Sequence, residues 1–141
     1  MTRTLNRVMS DLDSLGVEVV ECKLKASRAI ASQDGSVALD SRGLSATELC
    51  EILMHESGHF LSGAFYNPHA VYDIKAKAER RAEKAAVRRY IPFREFVSTM
   101  QKGLQTPHEL AEHYGVTEDA ICKAYYYYRD VCGYSFDQGK E

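Results

Sequence analysis

Leu5, Val8, Leu12 and Leu15 recur at the spacing of one helical face, and Gly16 stands where a left-handed residue would end the turn, so the pattern predicts a helix over 4–15. The next apolar run, Val17 to Cys22, is short and β-branched and reads as a strand. A second strand is expected over Ala29 to Ser32. Asp34-Gly35 is a tight hairpin signal, and Val37 to Asp40 would return as a third strand, giving a small antiparallel sheet.

Helical periodicity takes over from there. Ser45-Ala46-Thr47-Glu48 has the capping-box order and opens a helix running to about Ser62. Gly63 to Asp73, with Pro68, reads as a loop. A charged, alanine-rich helix follows from about Ile74 to Tyr90 and stops before Pro92. Further helices are expected over Phe93 to Lys102, from Thr106-Pro107-His108-Glu109 (a second capping box) to Tyr114, and from Thr117 to Asp130 after Gly115. The fold class is therefore α+β and mostly helical. A single domain is expected over 1–141, with the sheet and two chemistry-bearing helices in about 1–92 and a helix-turn-helix-like segment in about 93–141.

Composition removes several function classes. The chain has 141 residues, 27% of them charged and 45% hydrophobic, with a formal charge of −2. That is an ordinary globular balance, without a bulk positive field to draw it onto nucleic acid or an anionic membrane. No apolar run approaches the length of a membrane span, and no apolar stretch follows Arg3 and Arg7 to make a signal peptide. Cys22, Cys50, Cys122 and Cys132 show no framework spacing, so four reduced thiols and a cytoplasmic location are expected.

The chemistry concentrates in His55-Glu56-Ser57-Gly58-His59, an H-E-x-x-H in mid-helix. Residues i and i+4 share a face one turn apart, so both imidazoles can ligate one Zn²⁺ in adjacent positions. Glu56 lies beside them, suited to act as general base on a water rather than as a ligand. A catalytic site needs a third ligand. On the next helix Glu79, Ala82, Glu83, Ala86 and Tyr90 form one face, two carboxylates on a stripe of small residues that lets another helix come close. A carboxylate in such a contact must be paired or bind metal. This assigns Glu79 as third ligand and Glu83 as acceptor for the outer N–H of His55 or His59. A plainer reading makes both glutamates part of a solvated helix, paired with Lys75, Arg80 or Lys84. His69 and Asp73 compete as third ligand; Cys50 points off the ligand face. Manganese or iron would also suit the donors, with zinc the default.

The motif with the later Glu79-x-x-Ala82-Glu83-x-x-Ala86 and Tyr90-Ile91-Pro92 resembles the ImmA/IrrE family of zinc metallopeptidases, which shows H-E-x-G-H and then E-x-x-A-D/N-x-F-A-A-x-L-L-M-P. The resemblance covers roughly 36–130 and is sharpest over 48–92. Glu83 stands where Asp or Asn is usual, Ala85 where Phe is usual, and Arg89 where an aliphatic residue is usual. The resemblance implies a zinc-dependent endopeptidase that cuts a transcriptional repressor or similar regulator of a phage or mobile element, a helix-turn-helix protein encoded beside it. Candidates for an oxyanion donor are Tyr66, His69, Tyr72 and Tyr90. The rival reading is a non-catalytic regulator stabilised by a closed zinc site.

Two other features carry plainer readings. Seven basic residues between 75 and 89 face two acids, which fits the solvent side of the alanine-rich helix. In 109–130 acids outnumber bases, and Glu118 and Asp119 open the would-be recognition helix, which argues against DNA binding there. Tyr125 to Tyr128 cover their helix all round, so some must be core.

Overall fold

The computed structural model describes residues 3–136. Helix α1 (Arg3–Ser14) is followed by strands β1 (Glu18–Glu21), β2 (Ala29–Ser32) and β3 (Ser36–Leu39). Then come α2 (Ala46–Ser62), α3 (Tyr72–Tyr90), α4 (Phe93–Gln101), α5 (Pro107–Tyr114) and α6 (Glu118–Tyr126), which runs into a π-helical turn (Tyr127–Val131). The mostly helical α+β architecture expected from the pattern is what forms. Among the described residues no helix is long and apolar enough to cross a membrane. No disulfide joins the four cysteines.

Leu5, Val8 and Leu12 bury one face of α1, whereas Leu15 falls past the helix end and is exposed. Both capping boxes form: Glu48 N–H donates to the Ser45 hydroxyl at 3.2 Å, and Glu109 N–H to that of Thr106 at 3.1 Å. Each satisfies amides that the first turn would leave open.

The sheet departs from the antiparallel expectation. Its order is β1-β3-β2, with β2 antiparallel and β1 parallel to β3, in register Val19↔Val37 and Ile30↔Ala38. The Asp34-Gly35 signal governs only the β2–β3 hairpin. The connection over 22–28 straddles the end of β3 and lays β1 along its other edge. Asp40 holds that connection: its carboxylate accepts the Leu24 N–H at 3.1 Å and two guanidinium bonds from Arg42 at 2.8 Å. The Arg42 guanidinium keeps the Asp40 carboxyl well below the usual carboxylate range. Central β3 buries Val37 and Leu39, while the short edge strand β1 leaves Glu18 and Glu21 in water.

α2 and α3 share the largest interface between elements, and α2 also packs on β2 and α1. One continuous core runs from Leu5 through Leu53, Tyr90 and Phe96 to Ile121 and Tyr128, so the 93–136 segment packs into the same interior as the sheet and helices α2 and α3. Of the tyrosine run, Tyr128 is core and donates to the Ile91 carbonyl at 2.7 Å, and Tyr126 is exposed. α5 and α6 meet at Gly115, whose positive φ of 73° turns the chain.

A polar junction ties α1 to the central helices. Arg89 grips Asp11 through two bonds at 2.8 and 2.9 Å, and the Tyr90 hydroxyl, itself 2.6 Å from that of Ser57, donates to Asp11 at 2.8 Å. The Arg89 bond, working against burial, lowers the Asp11 pKa below its ordinary 3.8. A carboxyl lowered on folding contributes stability that is complete above its unfolded value and is lost as pH falls through the folded one. Asp11→Asn should therefore cost about 1–2 kcal/mol at neutral pH, because the partner guanidinium is half exposed. In urea unfolding, the gap from wild type should narrow as pH falls below the ordinary carboxylate value of 3.8. A gap that stays constant would show that the ion pair does not set the cost.

Candidate metal centre

The H-E-x-x-H motif occupies the middle of α2, where Glu56, Ser57, Gly58 and His59 are all buried. α3 crosses at that point. A Cβ built on Gly58 would overlap the carbonyl of Ala82, with the carbonyl carbon only 2.8 Å away. Glycine on one helix and a fully buried alanine on the other let the backbones touch. That contact brings the Glu79 and Glu83 turns of α3 against the histidines.

The two imidazoles lie edge to face, ring centres 5.1 Å apart. Each has its outer nitrogen occupied. His55 Nδ1–H donates to Glu83 Oε2 at 2.8 Å, and His59 Nδ1–H donates to the Ala64 carbonyl at 2.6 Å. Both Nε2 atoms therefore turn to one point, where Glu79 Oε2 sits 2.6 Å from that of His55 and 3.4 Å from that of His59. His55, His59 and Glu79 offer donor atoms all within 4.8 Å of one another, and they are the one such group of histidine, cysteine and acid side chains among the described residues. Donors about 2.1 Å from a tetrahedral ion lie about 3.4 Å apart, so the set fits a zinc-sized cation once the short His55–Glu79 contact opens.

Electrostatics agree with that chemistry. The Glu83 bond, against the opposing effect of burial, raises the His55 pKa to about 9, with Glu79 adding to it. Without a cation the ring is thus an imidazolium whose Nε2 proton occupies the place a metal would take. The His55 bond also lowers the Glu83 pKa. For Glu79, burial opposes ionisation, but bonds from the Tyr66 hydroxyl (2.7 Å) and His55 outweigh it and the pKa is lowered. Glu56 behaves in the opposite way: burial dominates and raises it, and the histidines and the Ala31 amide only partly compensate.

Each residue singled out in the sequence has a definite position. His55, His59 and Glu79 converge, Glu83 holds His55, and Glu56 is buried beside them. His69 and Asp73 are exposed, outside the donor group. Cys50 lies in the core. Among the candidate oxyanion donors, Tyr66 reaches the site. Tyr72 is 80% exposed, and Tyr90 is buried with its hydroxyl engaged by Ser57 and Asp11, which removes it from the candidates. Two contributions had no side-chain signal. Gly63, at φ 69°, ends α2 and turns the chain so that the Ala64 carbonyl meets His59. The amide of Ala31 on edge strand β2 approaches Glu56. No protein-family profile, no curated protein and no solved structure matches the chain.

Proposed function

We propose that this protein is a zinc-dependent endopeptidase of the ImmA/IrrE type that cuts a transcriptional repressor or similar regulator of a phage or mobile element. One observation carries the reading: two imidazole Nε2 atoms and one carboxylate converge while their outer partners fix them from behind, and a buried glutamate stands alongside. Second partners of this kind orient ligating histidines and set their tautomers.

His55, His59 and Glu79 would hold the ion, which supplies Lewis-acid polarisation of a carbonyl and a more acidic water. Glu56 takes a proton from the attacking water onto its carboxylate and returns it to the leaving amine nitrogen. A pKa raised by burial suits a group that must both accept and release that proton. Tyr66, its own pKa pushed up to about 12 by Glu79, keeps its proton, and on turning away from Glu79 Oε1 its hydroxyl is the donor for the developing oxyanion. Strand β2 borders the site and, among the described residues, pairs only with β3, so its outer edge can add an extended peptide. The repressor as substrate rests on the resemblance over 48–92. The four cysteines act as thiols on this reading, and the setting is the cytoplasm. The three-donor group, with His69 and Asp73 elsewhere, favours an open catalytic coordination over a closed structural site.

Zinc titration of the purified chain is the test. Wild type should bind one ion, Glu79→Ala should lose that binding, and Glu83→Gln should weaken it about 10- to 100-fold. Unchanged affinity in Glu79→Ala would sink the assignment.

A further inference from the structure

Beside the metal centre, β2, α2, α3 and α6 enclose a cavity of about 340 Å³. Much of its lining is apolar, from Ile52, Met54, Ala86, Val87, Ile91 and Ala120, and His55 and Glu56 line it as well. The volume is about twice the roughly 150 Å³ that accommodates a benzene ring. Three of the lining residues, Ala29, Ala86 and Ala120, are alanines, whose short side chains leave space.

The charged groups that line it have partners of their own. Arg28 donates to the Asp40 and Arg42 carbonyls, Glu51 accepts from the Thr117 hydroxyl at 2.7 Å, Lys123 pairs with Asp119 at 3.2 Å, and Glu83 holds His55. These contacts hold the charged groups on the rim of the apolar surface. What the cavity offers a ligand is apolar surface adjoining the residue assigned as general base.

We propose that this cavity is the specificity pocket of the peptidase, taking a large apolar side chain such as Phe, Leu or Met that flanks the cleaved bond. The inference rests on the peptidase reading for its role, and on the cavity alone for its ligand. It also gives the helix-turn-helix-like segment a function: α6 supplies Ala120 and Lys123 to the pocket wall, so this segment selects substrate side chains rather than bases of DNA. An extended segment laid on the outer edge of β2 passes Ala29, which lines the same cavity. Neighbouring side chains of such a segment alternate in direction, so one in two can enter.

The full chain, carrying ¹³C-labelled Ile and Met methyls, is titrated with N-acetyl-phenylalaninamide, N-acetyl-leucinamide and N-acetyl-glutamate α-amide. The first two should give saturating shifts at Ile52, Met54 and Ile91, and the glutamate probe none. Ala120→Leu fills the cavity and should abolish the shifts. Ile52→Asp, at a half-buried wall position, should abolish them independently if the first variant packs poorly. Zinc-loaded protein with a pool of internally quenched peptides should cut beside Phe, Leu or Met roughly tenfold or more in preference to Gly or Asp. Ala120→Leu should move that preference to small residues. Equal shifts from all three probes, or cleavage without an apolar preference, would overturn the pocket. Methyl shifts from the apolar probes alone, with no cleavage of any peptide, would support the pocket's ligand and count against the peptidase reading.

Discussion

Gly58→Ala should destabilise the fold by about 3 kcal/mol or more and lower the midpoint of thermal unfolding by about 10 °C. Two effects compete at this position. Alanine is a better helix former than glycine by about 1 kcal/mol, which favours the substitution. Against this, the new methyl would overlap the carbonyl of Ala82 on α3, a backbone group that no rotamer change can move aside. The contact wins, because relieving it requires α2 and α3 to separate along their whole shared interface. The same separation draws Glu79 and Glu83 away from the histidines, so zinc affinity should fall with stability. Ala82→Gly should not rescue the variant, since the obstruction is main chain. Melting curves with and without zinc check both parts. A variant as stable as wild type would mean that the helices cross less tightly than described.

Glu56→Gln tests the chemistry with the fold left alone. Loss of a general base costs about 10²- to 10⁴-fold in rate, so cleavage of a quenched peptide pool should drop by that factor. Zinc binding should stay within a few-fold of wild type, because Glu56 is outside the donor group. Stability should hold or rise. The wild-type carboxylate is 8% exposed and its ionised form is disfavoured by burial, and the amide removes that cost. A fall in cleavage accompanied by equal losses of zinc and stability would assign Glu56 a structural role in place of a catalytic one.

The local parts of this structure are legible in the residues. Ser45 and Thr106 begin helices because each has a glutamate three positions on to complete a reciprocal cap, a signal contained within four residues. Glu79 and Glu83 stand out because carboxylates on an alanine stripe need partners, and those partners are the histidines. The parallel placement of β1 is not legible in the same way. It goes with Asp40, just past β3, binding the amide of Leu24, a residue 16 positions away in the chain, as well as the guanidinium of Arg42. Nor does any side chain announce the Ala64 carbonyl that fixes His59, since every residue has one and the selection is made by the left-handed Gly63. The last helix shows a third kind of limit. Its periodicity predicts a regular helix to Asp130, but Arg88 donates to the Tyr127 hydroxyl and Tyr128 drives into the core. The final turn widens to a π-helical one that accommodates both.

All the donor atoms of the candidate metal centre and their supporting groups come from a single helical hairpin, with His55 and Glu83 28 positions apart. A short chain segment loses little entropy when its ends meet, so a denatured molecule can still cluster His55 and His59 around an ion. Heat-denatured protein in excess zinc should therefore keep some hold on the metal. The rise in melting temperature produced by zinc will understate the affinity of the native state, because linkage counts only the difference between the two. On the metallopeptidase reading, the same economy would allow the ion to join the nascent chain once this hairpin has emerged, ahead of α4 to α6, and the metal would serve as a folding template before it served the chemistry.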